Sequence, residues 1–237
     1  MEKTERVLLK ISGESLGGMS NFGINREALD FIADEVTLVH NLCQLAIVVG
    51  GGNLIRGQQL KKDVCLKDSV VADYAGMLAT MVNAIILQDV LEKDYGLETR
   101  VMSAWAVETV AEPFVRRKAM DHLEKGRVVI LAGGTGSPDF STDTAMVLRA
   151  HEIGVSLVLK GTKVDGVYGS DPKVDQNAEF LPEISYAEFI SRGLKIVDQT
   201  AVTLASNHGI VIKIFDIFTK GNLRKVLVEQ NIGSVIH

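Results

Sequence analysis

Five short runs of apolar residues punctuate the chain: Val7-Leu8-Leu9, Ala46-Ile47-Val48-Val49, Val128-Val129-Ile130-Leu131, Leu157-Val158-Leu159 and Val211-Ile212-Lys213-Ile214-Phe215. They mostly lack the in-out alternation of half-exposed strands and read as central strands of a parallel sheet covered on both faces. Helical patterns lie between them. Leu29, Ile32, Val36 and Val39 recur at steps of three and four behind Asn25, a candidate N-cap. Ser185 with Glu188 forms a capping-box pattern, and Asp198 and Asn222 are candidate caps of two further helices. Strands alternating with helices predict a three-layer α/β/α sandwich around a central, mostly parallel sheet, with ligands bound beyond the carboxyl ends of the strands. Asp165-Gly166, set between apolar residues, predicts a tight hairpin turn.

The segment from Val70 to Leu91 is apolar around nearly its whole circumference, so one sheet face cannot cover it. Asp73, Thr80, Asn83, Gln88 and Asp89 interrupt it too often for a membrane-spanning helix, and no membrane association is expected. It reads as a buried helix whose second cover is a subunit interface.

Polar residues concentrate in four places directly after strand-length apolar runs. These are Lys10-Ile11-Ser12-Gly13-Glu14, Gly50-Gly51-Gly52-Asn53, Lys160-Gly161-Thr162-Lys163, and the long loop from Gly133 to Asp143 ahead of a helical pattern. A glycine-rich turn between strand and helix gathers backbone N–H groups, hydroxyls and a positive helix end around one point, which suits a phosphate. Several such turns at one sheet edge suit a polyphosphate. Neither G-x-x-x-x-G-K-[ST] nor a G-x-G-x-x-G after a strand is present, so a P-loop kinase and a dinucleotide-binding dehydrogenase are both unsupported.

Composition narrows the partners further. The chain has 237 residues, enough for one large α/β domain or two small ones, and its net charge of -5 argues against a nucleic-acid-binding surface. Small molecules are the expected partners. Cys43 and Cys65 are too isolated for a disulfide framework, and the five histidines lack ligand spacing, so no protein-built metal site is expected. Trp105, Cys43 and Cys65 read as packing residues. A reduced, cytoplasmic home fits, and Met1-Glu2-Lys3-Thr4-Glu5-Arg6 lacks the apolar core of a signal peptide.

Taken in order, Lys10 to Glu14, Gly50 to Gly57, Asp73 with Gly76-Met77-Leu78-Ala79-Thr80, the Gly133 to Asp143 loop and Leu159 to Tyr168 resemble bacterial UMP kinases of the amino acid kinase superfamily. The resemblance covers nearly the whole chain and implies one kinase-like domain over residues 1–237. It implies transfer of the γ-phosphoryl group of ATP to UMP, giving UDP and ADP in pyrimidine biosynthesis, with Mg²⁺. Lys10, Ile11, Ser12, Gly13, Gly52 and Arg56 would hold the phosphates of ATP, with Thr162, Tyr168 and Asp171 nearer its nucleoside. Gly51, Asp73 and the loop Thr135, Gly136, Ser137, Pro138, Asp139, Phe140, Ser141, Thr142 would hold UMP. Lys10, Asp143, Lys160 and Asp198 would be the catalytic set. The resemblance also implies a homohexamer with GTP and UTP as effectors, through Gly18 to Gly23 and through Arg100 and Arg127.

Simpler roles stand beside these. Asp143 could complement a helix dipole, Gly51 and Gly52 could serve a tight turn, Asp171 before Pro172 is a common turn pair, and Asp198 could be only a cap. The chain also departs from the family pattern. Ser137 stands where an asparagine is common, Asp139 replaces an aromatic or apolar residue, and Gln88 stands where some members have an arginine, which puts control by GTP in doubt. An extra carboxylate beside an anionic acceptor is repulsive, so Asp139 is expected to face solvent. Two other classes remain open: a superfamily kinase acting on carbamate, acetylglutamate or aspartate, and a nucleotide-binding storage or regulatory protein on the same fold.

Overall fold

A computed structural model describes residues 6–56, 65–170, 172, 174, 175, 177–229 and 231–237. Its nine-stranded sheet has the order β4-β3-β5-β2-β1-β6-β10-β11-β9. The five apolar runs form its centre as β1 (Arg6–Ile11), β2 (Gln44–Val49), β5 (Val128–Ala132), β6 (Leu157–Thr162) and β10 (Val211–Asp216). Neighbouring pairs among these are all parallel. The flanks are more polar and, apart from β3, shorter: β3 (Thr99–Ser103), β4 (Glu112–Pro113), β9 (Glu183–Ile184) and β11 (Ser234–Ile236), the last antiparallel to β10. A separate two-stranded ribbon pairs β7 (Val167–Tyr168) with β8 (Phe180–Leu181).

Side-chain parity along each strand sorts the core into two layers. Val7, Leu9, Ile11, Leu45, Ile47 and Val49 face α1 (Arg26–Val39), α2 (Ser69–Lys93) and α7 (Asn222–Val228). Leu8, Ala46, Val48 and Val158 face the other layer, α3 (Arg116–Glu124), α4 (Thr142–Ile153), α5 (Tyr186–Ser191) and α6 (Gln199–His208). Expected caps form at three helices: Asn25 accepts from Ala28 N, Ser185 from Glu188 N and Asp198 from Ala201 N.

Three expectations are corrected. Asn222 does not cap α7; it is the first helical residue, and the buried Glu35 of α1 accepts instead from the N–H groups of Gly221 (2.5 Å) and Leu223 (3.1 Å). Asp165-Gly166 does not close a hairpin, because β7 pairs with β8 across a longer connection. Glycine serves there for close approach: a Cβ on Gly166 would lie 2.3 Å from Ser234 Oγ. Cys43 packs in the core as expected, but Cys65 is exposed.

Helix α2 is long and apolar enough by composition alone to cross a membrane. Here it packs on the sheet with Thr80 and Asn83 buried among its apolar contacts. One stripe stays uncovered, Val71, Tyr74, Leu78 and Val82, at 48%, 42%, 52% and 41% exposure.

Candidate active site

The sheet register brings two lysines side by side. Lys10 and Lys160 are direct partners across the β1–β6 ladder, and both share the parity of Leu8 and Val158, which face the α4 layer. Asp143, in the first turn of α4, meets them there. Its Oδ1 lies 3.0 Å from Lys10 Nζ and its Oδ2 2.5 Å from Lys160 Nζ, with all three side chains largely shielded from solvent. Lys160 Nζ also donates to the carbonyl of Ile196.

Charges this deep depend on one another. Burial alone would raise the Asp143 carboxyl, but Lys10 and Lys160 outweigh it and hold the group at about 2. Burial, reinforced by the repulsion of Lys10, pushes the Lys160 ammonium down to about 8 against the pull of Asp143 and Asp198. Two ammonium groups around one carboxylate leave a net positive charge. The arrangement suits an anion that supplies the missing negative charge and replaces water around the lysines.

Asp198 reaches the cluster through α4. Its carboxylate accepts from Ser141 Oγ and from Thr144 Oγ1 (3.1 Å) while also capping α6. Ser141 in turn caps α4 by accepting from Asp143 N at 2.9 Å. Asp198 thus caps α6 and is tied through Ser141 and Thr144 to the helix that carries Asp143.

On the β1 and β2 side, the Ser12-Gly13 and Gly50-Gly51-Gly52 turns are pressed together. A Cβ on Gly13 would lie 2.6 Å from Gly52 N and 2.9 Å from Gly50 O. Gly51 touches α2, where a Cβ would come 2.6 Å from Gly76 O; a Cβ on Gly52 would meet only Glu14 Cγ, at 4.0 Å, so its lack of a side chain leaves room for a ligand. Ser12 Oγ caps a short 3-10 turn over Gly13–Leu16, and Ile11 is buried against α1. Arg56 bonds Gly52 O at 3.2 Å and Glu14 at 2.9 Å on the exposed rim.

Two clefts reach residues that adjoin the lysine cluster. One, of about 280 Å³, is lined by Gly51, Gly52, Arg56, Asp73, Phe140 and Thr142 among others, Thr142 being next to Asp143. The other, of about 440 Å³, is lined by Tyr168, Ser170, Pro172, Lys195 and the same Ile196 that bonds Lys160. Thr162 ends β6 two residues beyond Lys160, and Tyr168 OH donates to Asp165 at 2.7 Å. Asp171 lies outside the described residues.

The loop between β5 and α4 turns on Gly133, Gly134 and Gly136, all at positive φ. Contacts from distant elements hold it. Thr80 Oγ1 of α2 accepts from Gly133 N (2.8 Å), Arg149 donates to Gly134 O (3.3 Å), and Trp105 Nε1 donates to Gly136 O (3.0 Å). Thr135 Oγ1 and Ser137 bond within the loop, which continues through Pro138 and a half-exposed Phe140. Asp139 N donates to Asp73 Oδ2 at 3.0 Å. Asp139 is exposed and has φ +67, a left-handed conformation that Asp and Asn tolerate better than apolar residues do, which accounts for an acid at this position.

Thr80, Trp105 and Arg149 were missed as site residues from sequence. Their partners are 53, 31 and 15 positions away, beyond any local pattern. Arg100 and Arg127, by contrast, stand at the other end of the sheet, paired with Glu92 and Glu98.

The amino acid kinase family model matches residues 5–216. Among solved structures, a UMP kinase from Bacillus anthracis superposes with a TM-score of 0.93 at 33% identity, covering 98% of this chain and 96% of that one. A UMP kinase from Ureaplasma parvum gives 0.92 at 31% identity, covering 100% and 99%. A uridylate kinase from Archaeoglobus fulgidus gives 0.74 at 26%, covering 98% and 99%.

Proposed function

Because this chain belongs to the amino acid kinase family, we propose that it is a UMP kinase, moving the γ-phosphoryl group of ATP onto UMP to give UDP and ADP. The observation that carries this is the buried Lys10–Asp143–Lys160 cluster, with one cleft opening at Thr142 and another at Ile196. The whole chain is read as one kinase domain.

ATP places its phosphates over Ser12, Gly13 and Gly52, with Lys10 and Arg56 as counter-charges, and its nucleoside toward Thr162, Tyr168 and Asp171. UMP occupies the smaller cleft. Asp73 exchanges the Asp139 N–H for ribose hydroxyls, while Gly51 and residues 135–142 face the acceptor phosphate. That phosphate has a second pKa of about 6, so it is already largely dianionic at neutral pH and needs no general base. Lys10 and Lys160 stabilise the equatorial oxygens as charge shifts between the two nucleotides. Asp143 holds both ammonium groups at one spacing, and Asp198 positions α4 beneath them.

Asp143 Oδ1 is a buried carboxylate oxygen that makes no hydrogen bond and faces Lys10 Nζ. Among the described residues no three His, Cys, Asp or Glu side chains converge as a metal cage. This donor set fits Mg²⁺ carried in by ATP, since Mg²⁺ binds with one or two carboxylates plus substrate phosphates. When bound, Mg²⁺ supplies further charge neutralisation on the phosphates.

The uncovered stripe on α2 supports self-association, and the family resemblance makes the assembly a hexamer. A cytoplasmic home with no membrane or nucleic-acid partner accompanies this reading, as do GTP and UTP effectors acting through Gly18 to Gly23, Arg100 and Arg127. Light scattering reads the assembly, and rates with and without GTP or UTP read the effectors.

The decisive experiment is ADP release from ATP with a panel of acceptors. UMP is expected to be turned over and acetylglutamate, carbamate and aspartate are not; turnover of acetylglutamate without UMP would refute the assignment.

A further inference from the structure

The Gly50–Gly52 turn is fastened by a buried pair of amides. Asn53 and Asn83 are both 0% exposed. Asn53 Nδ2 donates to Asn83 Oδ1 at 3.0 Å, and Asn83 Nδ2 donates back to Asn53 Oδ1 at 2.7 Å. The second donor of each amide leaves the pair in a different direction. Asn83 Nδ2 reaches Gly50 O at 2.7 Å, and Asn53 Nδ2 reaches Gly23 O at 2.7 Å, while Gly23 N donates to the Asn53 carbonyl at 2.9 Å. The Ser12-Gly13 turn closes over the same node, since a Cβ on Gly13 would lie 2.5 Å from Asn53 Oδ1.

Every amide donor of the pair is therefore used, in a site without solvent. Two apolar side chains could fill the same volume but would fix no direction. What the amides add is orientation. In a trans peptide the carbonyl and the following N–H point opposite ways, so holding the Gly50 carbonyl toward Asn83 turns the Gly51 N–H to the other side of the turn. Asn53 does the same for the segment around Gly23. Helix α2, which carries Asn83, is the frame to which both are fixed.

We infer that Asn53 and Asn83 are positioning residues for phosphate recognition: their reciprocal amide pair aligns the Gly50–Gly52 and Ser12-Gly13 turns against α2 before nucleotide arrives. The inference rests on the assignment of those turns to nucleotide phosphates. Asn83→Asp keeps the size of the side chain but sets oxygens against Gly50 O and Asn53 Oδ1. It is expected to raise KM about tenfold for UMP, through Gly51, and for ATP, through Gly52 and Gly13, whereas a role in folding alone would lower the active fraction and leave both KM values unchanged. Thr99→Val, which removes another buried polar contact on β3, serves as the control with KM unchanged. Asn83→Asp protein that folds with KM for both UMP and ATP within about twofold of the parent would overturn the inference.

Hydrogen exchange on the parent protein decides the matter if the variant fails to fold. The bonded amides that brace the turn, Gly50 N on Ile11 O, Leu54 N and Ile55 N on Gly51 O, and Gly23 N on the Asn53 carbonyl, are expected to be slow before ATP is added; slowing only after ATP would contradict pre-alignment. A parent chain that binds ATP but does not phosphorylate UMP would refute the proposed activity, while the exchange measurement would still score the amide pair.

Discussion

Lys10 and Lys160 face each other on neighbouring strands of the sheet, buried and locked to Asp143, whereas Asp73 and the loop ahead of α4 meet near the surface, held by contacts from α2, α4 and the segment after β3. The first region has almost no freedom: strand register sets the lysine spacing, and moving either charge would strand another in a dry site. The second region can exchange partners. Its one link between Asp73 and Asp139 N is a bond that a ribose can replace at little cost. Charge stabilisation is thus placed where geometry is stiffest, and acceptor recognition where the chain can adapt.

Substitutions should separate the two regions. Lys160→Ala is expected to lower kcat by about 10²–10³, the usual cost of losing one preorganised charge contact, with KM for UMP little changed. In the parent, Lys160 loses its proton near pH 8, so kcat/KM for ATP is expected to fall as pH rises through that value. Stability moves the opposite way there. The charged Lys160 is disfavoured by folding at all pH values below its folded pKa, and that cost is relieved between about 8 and the ordinary 10.5.

Asp143→Asn is the next largest change. It leaves two buried ammonium groups without their carboxylate and is expected to cost about 3–5 kcal/mol in chemical denaturation. The Asp143 contribution is complete above its ordinary value of 3.8 and is lost as pH falls through about 2. The parent should therefore lose stability across that acid window more steeply than the variant does.

The loop region should respond differently. Asp73→Ala is expected to raise KM for UMP about tenfold with kcat and KM for ATP nearly unchanged, read in steady-state kinetics. Trp105→Phe removes the indole donor to Gly136 O, with part of the ring packed edge-on against Tyr74, and is expected to raise KM for UMP about two- to threefold. An equal rise in KM for ATP in either variant would blur the division.

The stiff region was the more legible in sequence. Continuous apolar runs marked β1, β2, β5, β6 and β10, and lysines at two of their ends stood out against that background. Strand β3, reading Thr-Arg-Val-Met-Ser, hid because its polar Thr99 and Ser103 are buried at the sheet flank. Helix α3 hid because its nine residues are mostly charged and only Ala119, His122 and Leu123 are buried. Trp105 read as packing and Thr80 as a polar break in a helix; only the folded chain brings them to the loop. Asp139 stood out as a departure from the family pattern, and its left-handed backbone, invisible in sequence, suits an Asp better than an apolar residue.

The division between the regions is tested most directly by UMP binding to Lys10→Ala, measured calorimetrically beside its rate of phosphoryl transfer. The account predicts UMP affinity within about threefold of the parent while transfer falls by about 10² or more. Loss of UMP affinity in parallel with transfer would contradict it, because the lysine cluster would then be holding the acceptor as well.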